Sequence, residues 1–301
     1  MSRINLVTSS AIVTLTLLPS SVLAQQGTLR QQLVGTWRMT SCDFKAPSCP
    51  GNGSFSFGGN GQYTEVILGP DRPKLTDNPT GRVSVSADQY KGIGQGTVAQ
   101  FGTWSVEEAS KTLTLHSENT FTRVNEGTDR KVSISLTGDE LKVVVADGGS
   151  TTWKKSPPLQ QVAAVPAAAQ QQTLKQQIQG AWNLVSCDAK QPYCVNPTGS
   201  LSLNGNGRYT VMIAAKGRPT AQRENVTPEA FKGITQGVAA QFGTWSVNEA
   251  DKTITYKAEE ALFPRPEGDS AQVSKFTIVS ITADEMKGNG PLGNTVWRRF
   301  K

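Results

Sequence analysis

A few ionisable and aromatic residues recur at corresponding places in the two halves of this sequence, and they are the first candidates for chemistry. They are Tyr63 and Tyr209, Arg72 and Arg218, and Glu118 and Glu259. A carboxylate and a tyrosine that meet in one cavity can act as general acid and base, as isomerase or cyclase chemistry requires. The same carboxylates and arginines can instead form a polar rim that selects a ligand, or a surface salt bridge.

Aromatic residues recur in the same way within one predicted strand of each half. They are Phe101 and Trp104 in the first half and Phe242 and Trp245 in the second. Aromatic rings in such strands either pack the core or line a binding cavity. The single histidine, His116, corresponds to Lys257, so a histidine base is not repeated between the halves.

The four cysteines form two pairs with equal spacing. Cys42 lies as far from Cys49 as Cys187 lies from Cys194. In an exported protein this spacing favours two local disulfides. A zinc cluster in each half would lack partners, because the chain has one histidine. No Gly-x-Ser-x-Gly, nucleotide or haem motif is present, so we expect no metal and no cofactor.

The two halves are tandem copies of one unit. The segment Ala99–Val106 recurs without change as Ala240–Val247, and the similarity extends in both directions. The period of about 140 residues exceeds the length of a solenoid repeat, which typically runs about 20 to 50 residues. Each copy is therefore expected to be a domain.

The start of the sequence is typical of a secretory signal peptide. Arg3 precedes an apolar stretch, Ala11–Leu18, and small residues end the segment at Ala24. This stretch is shorter than the roughly 20 residues needed to span a membrane. We expect residues 1–24 to be removed, and the mature chain to have no transmembrane segment.

The predicted domains are residues 28–155 and 173–301. Between them, residues 156–172 form a linker rich in Pro, Ala and Gln. Such a linker is of intermediate stiffness and does not require the domains to share an interface. The net charge is +6 without a clustered basic stripe, which speaks against nucleic-acid binding.

Each copy contains eight predicted strands and a short helix. Turn residues such as Asn60-Gly61 and Asn206-Gly207 are strong hairpin signals. Eight antiparallel strands in about 125 residues suit a closed up-and-down β-barrel, with a β-sandwich as the alternative. A capped helix is expected from Ser86 in the first copy and from Thr227 and Pro228 in the second. The predicted fold class is therefore all-β, with two tandem eight-stranded antiparallel barrels.

These motifs resemble the bacterial lipocalin-like domain family, a branch of the calycin barrels. The resemblance rests on Leu33–Trp37, on Phe101–Val106 and on the final tryptophans Trp153 and Trp297. It covers nearly the whole of both copies. In that family, a Gly-x-Trp motif opens the first strand, and a basic side chain from the last strand covers the tryptophan ring.

The resemblance implies the residues that close each barrel. Gly35, Trp37 and Lys154 would do so in the first copy, and Gly180, Trp182 and Arg298 in the second, with Lys155 and Arg299 as the neighbouring options. Lysine stacks less well than arginine on an aromatic face.

The resulting hypothesis is an exported protein, periplasmic in a bacterium, whose barrels bind small and largely apolar molecules without chemistry. The candidate ligand-binding residues are Tyr63, Arg72, Phe101, Trp104, Glu118, Tyr209, Arg218, Phe242, Trp245 and Glu259. One alternative is an interaction module with filled barrels that attaches to a cell-envelope partner. The other is an enzyme that uses the tyrosines and glutamates.

Overall fold

The computed structural model describes most of the chain outside its first residues. The described ranges are 27–43, 45–73, 85–145, 148–157, 172–220, 226–263 and 273–300. The expected signal peptide and most of the expected linker lie outside these ranges.

Each copy folds as a closed barrel of eight antiparallel strands, which confirms the predicted fold class and excludes the sandwich. Consecutive strands are neighbours, and the first strand of each barrel pairs with the last. The strands of the first barrel are β1 (Gly35–Cys42), β2 (Asn52–Phe57), β3 (Gln62–Leu68), β4 (Thr97–Glu107), β5 (Thr112–Thr120), β6 (Thr128–Thr137), β7 (Glu140–Val144) and β8 (Ser150–Lys155). Those of the second barrel are β9 (Gly180–Cys187), β10 (Pro197–Leu203), β11 (Arg208–Ala215), β12 (Val238–Asn248), β13 (Thr253–Ala261), β14 (Val273–Ile281), β15 (Glu285–Gly290) and β16 (Gly293–Arg299).

Within the described ranges, four short α-helices accompany the strands. They are α1 (Leu29–Leu33), α2 (Ala87–Gln95), α3 (Leu174–Ile178) and α4 (Pro228–Gln236). The expected start signals are present: the Ser86 side chain accepts a hydrogen bond from the Gln89 amide, and Thr227 caps α4. These caps satisfy amide groups that a helix start leaves unpaired. A 3₁₀ turn, Pro192–Cys194, follows β9.

The repeated segment surrounds a bulge in both barrels. Phe101 pairs with Asn119, but Gly102 pairs with Ser117, so Glu118 is the extra residue on β5. A Cβ atom at Gly102 would overlap the His116 carbonyl oxygen, which explains why this position is glycine. In the second barrel Phe242 pairs with Glu260 and Gly243 with Ala258, so Glu259 is the extra residue on β13.

The two barrels share an extensive interface, a point that the linker sequence left open. On β3, Tyr63 and Ile67 point into the first barrel, while Val66 and Leu68 point towards the second. Every residue of β3 is consequently buried. The apolar surface that a free barrel would expose on this side is covered by the other barrel.

A hydrophobic cluster built from both copies fills this interface. It includes Phe101 and Ile93 from the first copy and Phe231, Ile234 and Phe242 from the second, all almost fully buried. Helices α2 and α4 pack against each other within it. Gly94 of α2 allows this approach, because a Cβ there would overlap the Phe231 ring.

Small hydroxyl side chains make the polar part of the interface and follow a pseudo-twofold relation. The Thr64 hydroxyl lies 2.7 Å from that of Ser200, and the Thr210 hydroxyl lies 2.7 Å from that of Ser54. Thr64 corresponds to Thr210 in the repeat, as Ser54 corresponds to Ser200. The barrels therefore pack through equivalent faces.

Both expected disulfides, Cys42–Cys49 and Cys187–Cys194, are formed. Each ties the end of the first strand of its barrel to the following loop. None of the helices within the described ranges is long and apolar enough to cross a membrane.

Candidate functional site

The second barrel encloses a cavity of about 700 Å³. Its walls are mostly apolar and include Leu201, Val211, Ile213, Phe276 and Trp297. Ligand sites commonly measure about 300 to 1,000 Å³ and place a few polar groups on apolar walls. The cavity therefore has the size and character of a small-molecule site.

Smaller side chains on one strand help to create this space. Phe55 and Phe57 fill the interior of the first barrel, where Phe55 packs edge-on against Trp153 with ring centroids 5.4 Å apart. The register places Leu201 and Leu203 at the corresponding positions of β10. Each leucine fills less volume than the phenylalanine it corresponds to.

The first barrel also holds a polar cluster at a position where the second is apolar. Glu65 points inward from β3, accepts a hydrogen bond from Gln100 and pairs with Arg130 at 3.2 Å. A buried carboxylate needs such partners to offset its lost hydration. Val211 occupies the equivalent position on β11 and makes the wall of the second barrel apolar there, while Gln241, the counterpart of Gln100, also lines the cavity.

Two tyrosines meet inside the cavity of the second barrel. The rings of Tyr209 and Tyr256 pack edge to face, with centroids 5.0 Å apart. Burial raises the pKa of both phenols above the ordinary value. Both side chains therefore keep their protons at neutral pH and can act as hydrogen-bond donors.

The hydroxyl of Tyr209 differs from its counterpart in the first barrel. The Tyr63 hydroxyl lies 3.0 Å from the Ser117 hydroxyl. Ala258 stands at the position of this serine, and the buried Tyr209 hydroxyl has no hydrogen-bond partner within the described ranges. A buried polar group in this state is uncommon in folded proteins.

Glu259 also borders the cavity but is held in an ion-pair network. Arg208 donates to both of its carboxylate oxygens, and Arg38 of the first barrel approaches within 3.0 Å. Burial opposes ionisation of Glu259, but the hydrogen bond from Arg208 and the two positive charges outweigh it and lower its pKa. Glu118, at the same bulge of the first barrel, has its pKa raised by burial, with His116 partly offsetting this effect.

Residues of the first barrel complete one edge of the cavity. Asn52, Pro70 and Arg72 lie among its lining residues. Arg72 donates to the Ala261 carbonyl at 2.6 Å and pairs with Glu260 at 2.8 Å. This charged edge is therefore internally neutralised, and the site is built from both copies.

Arg218, the counterpart of Arg72, lies outside the cavity, in the interface. It donates to the Asn119 side chain at 2.7 Å and to the Thr120 carbonyl oxygen, and it pairs with Glu126 at 3.1 Å. Burial lowers its pKa to about 10, with the carboxylate of Glu126 partly offsetting the effect. Arg218 thus stays charged at neutral pH and joins the second barrel to the first.

The other candidate aromatic residues are distributed between the interface and the barrel interiors. Phe101 and Phe242 lie in the shared core between the barrels. Trp104 and Trp245 point into their barrels, and their indole nitrogens donate to main-chain carbonyl groups. Tyr63 lies in the filled interior of the first barrel. Of the ten candidates, the cavity brings together Tyr209, Glu259 and Arg72.

A tryptophan and a cation close one end of each barrel. Trp37 and Trp182 are fully buried, and each donates to a carbonyl group of the preceding helix region. The Lys155 ammonium lies 5.2 Å from the Trp37 ring centre, and the Arg299 guanidinium lies 4.1 Å from that of Trp182. Gly35 and Gly180 precede these tryptophans with positive φ.

The covering cations are therefore Lys155 and Arg299, which corrects the choice of Lys154 and Arg298. Side chains alternate along a strand, and Trp153 and Trp297 already point inward, so the residue two positions later does so too. Lys154 instead lies 3.7 Å from Asp139, and its side chain is exposed.

Important cavity residues were missed in the sequence. Tyr256 corresponds to Leu115, and it points inward because it alternates with Ile254, whose side chain is buried in the same barrel. The strand period and this substitution together were a usable signal.

His116 lies 2.8 Å from Asp129 on the exposed surface of the first barrel. Within the described ranges, no group of three or more metal-ligating side chains is placed to hold an ion.

Comparisons with known proteins do not assign a family. No family model matches the chain, and no curated protein matches it. Among solved structures, the chain is similar to the DNA polymerase III beta chain from Streptococcus pneumoniae TIGR4, with 8% identity and a TM-score of 0.12. The similarity covers 89% of this chain and 57% of that chain. A TM-score this low does not indicate a shared fold. The closed barrels themselves are consistent with a calycin-like fold.

Proposed function

We propose that this protein binds a small, uncharged and largely apolar molecule in its second barrel without transforming it. The observation that carries the proposal is the apolar cavity of about 700 Å³ in a barrel whose counterpart is packed with aromatic side chains. Burial of an apolar ligand surface is favourable by roughly 25 cal/mol per Å². A cavity of this kind supplies that driving force.

The first barrel has a different role in this proposal. Its interior is filled by Phe55, Phe57 and the Glu65 cluster, while its outer surface supports the wall of the second cavity through Asn52 and Arg72. The first copy thus has the filled interior that the interaction-module alternative expects, and the cell-envelope partner of that alternative stays a prediction. One copy acts as a scaffold and the other as the binding unit.

The enzyme alternative receives less support from the same groups. Tyr209 and Glu259 both border the cavity. However, the pKa of the Glu259 carboxylate is lowered and that of the Tyr209 phenol is raised. A general base works best when its pKa lies near the operating pH, and these opposite directions move both groups away from it.

We also propose a lipocalin-like family and an exported, periplasmic location. The buried Gly-x-Trp tryptophans under Lys155 and Arg299 support the first suggestion. The two disulfides support an oxidising compartment, where such bonds persist.

The proposal is tested by titrating the full mature chain with N-phenyl-1-naphthylamine, a neutral probe that fluoresces in apolar surroundings. We expect saturation at one probe per chain and displacement by fluorene. Absence of saturable binding, or fluorescence that fluorene does not displace, would contradict the proposal.

A further inference from the structure

We infer that the ligand of the second barrel carries a neutral oxygen acceptor, such as a carbonyl or ether oxygen, that receives a hydrogen bond from the Tyr209 hydroxyl. This inference rests on the proposed function and adds the chemical class of the ligand.

Within the described ranges, the phenol of Tyr209 is buried without a partner. Tyr209 is 1% exposed, and its hydroxyl oxygen has no hydrogen-bond partner in the part of the chain that the structure describes. Leaving a buried hydroxyl unpaired costs free energy, which a ligand can recover by pairing with it. Tyr209 lies among the residues that line the cavity, and its buried hydroxyl has to turn towards the cavity to pair with a bound molecule.

The two copies differ in the surroundings of this phenol. Tyr63 and Tyr209 occupy the same register position, each opposite the glycine of the bulge. In the first barrel Ser117 satisfies the phenol at 3.0 Å, and the packed interior needs no ligand. In the second barrel Ala258 removes this partner at the place where the cavity opens up. The two differences together point to a phenol kept free for a bound molecule.

The charged side chains around the cavity favour an uncharged ligand. Arg72 and Glu260 at the edge of the cavity pair with each other, and Glu259 is neutralised by Arg208 and Arg38. A charged ligand would have to displace one of these partners on entering an apolar cavity, which is costly. A neutral acceptor needs only a hydrogen bond, which the Tyr209 hydroxyl can donate.

The test uses two probes of nearly equal shape. Fluorene is a hydrocarbon, and fluorenone adds one carbonyl oxygen. The readout is the ratio of their Kd values, measured by displacement of N-phenyl-1-naphthylamine from the full chain. In the native protein we expect fluorenone to bind more tightly. In Tyr209→Phe we expect this preference to fall by about 3- to 10-fold, the value of one neutral hydrogen bond.

A second variant guards against a folding defect. Ala258→Ser introduces the serine that the first barrel has at position 117. We expect its hydroxyl to form a hydrogen bond with the Tyr209 hydroxyl. The preference for fluorenone should then fall, as in Tyr209→Phe, although the tyrosine is still present. Circular dichroism and thermal unfolding check that both variants fold.

The outcomes separate the inference from the proposed function. If both probes bind and neither variant changes their ratio, the acceptor inference is wrong and the binding proposal stands. If neither probe displaces N-phenyl-1-naphthylamine from the native chain, the proposed function fails and the inference fails with it.

Discussion

Arg72 and Arg218 occupy equivalent positions in the two repeats, and each reaches into the opposite barrel to bind main-chain carbonyl oxygens. Arg72 donates to the carbonyls of Ala261 and Leu262, and Arg218 donates to that of Thr120. Both guanidinium groups are nearly fully buried. This reciprocal arrangement joins two β-barrels into one unit, and it explains why an arginine recurs at this position of the repeat.

Replacement of Arg218 should destabilise the whole chain. Arg218→Met removes the charge but keeps an unbranched apolar stem. It deletes the hydrogen bonds to Asn119 and to the Thr120 carbonyl and one of the two ion pairs of Glu126, which keeps its pair with Arg123. We expect a loss of about 2 kcal/mol in the free energy of unfolding, measured with urea, because hydrogen bonds from a buried charged group are lost. Arg298→Met is the matched control, because the Arg298 side chain is 68% exposed, and its unfolding should change by less than about 0.5 kcal/mol. Equal effects of the two substitutions would contradict a buried role for Arg218.

Phe242 should contribute to the interface without contacting the ligand. It is fully buried in the shared core and lies below the Arg38 guanidinium, 4.5 Å from it. We expect Phe242→Leu to lower the free energy of unfolding by about 1 kcal/mol and to leave the affinity for N-phenyl-1-naphthylamine within about twofold. A marked loss of probe affinity in a variant that remains folded would instead return Phe242 to the set of ligand-binding residues.

Glu118 and Glu259 should respond to pH in opposite ways. Because the folded-state pKa of Glu259 is lowered, its stabilising contribution is present above the unfolded-state pKa and is lost as the pH falls through the folded-state value. Because that of Glu118 is raised, its ionisation costs stability once the pH rises through the folded-state value. At pH 7 we expect Glu259→Gln to destabilise the fold by about 1 kcal/mol, a figure reduced for solvent screening, and Glu118→Gln to stabilise it slightly.

Urea unfolding at several pH values checks this pair of substitutions. The difference between Glu259→Gln and the native protein should shrink as the pH falls below the range in which carboxylates ionise. Effects of the same sign at pH 7 would show that the two bulges have similar electrostatic surroundings.

A phenylalanine at position 201 should fill part of the cavity of the second barrel. Leu201→Phe gives the second barrel the side chain that the first barrel has at position 55, and it places an aromatic ring in the cavity wall. We expect at least about a tenfold loss of affinity for N-phenyl-1-naphthylamine, which corresponds to about 1.4 kcal/mol. Phe55→Leu is the reciprocal control and should destabilise the first barrel while the affinity of the second stays the same. Retention of full affinity in a folded Leu201→Phe variant would place the probe elsewhere.

Much of the barrel architecture follows from local sequence signals. Hairpin turns such as Asn60-Gly61, strand alternation and capped helices such as that after Ser86 predict the order of elements that the structure has. The period of two along β8 also contains enough information to select Lys155 over Lys154, once Trp153 is known to point inward.

The interface and the cavity could not be obtained in this way. The residues Val66 and Phe101 are apolar on the outer face of their strands, but local pattern does not say which surface covers them. The cavity depends on differences in volume, such as Leu201 for Phe55, and on how surrounding side chains relax around them. The free hydroxyl of Tyr209 depends on a substitution at Ala258, a residue distant in sequence and adjacent only in the barrel.

The most direct test of the central claim is a crystal structure of the full chain soaked with 2-bromofluorene, with the bromine located by its anomalous scattering. We expect one strong bromine peak per chain, inside the second barrel and between Leu201, Tyr209 and Phe276. A principal peak inside the first barrel, or peaks on the outer surface alone, would contradict the assignment of the second barrel as the binding unit.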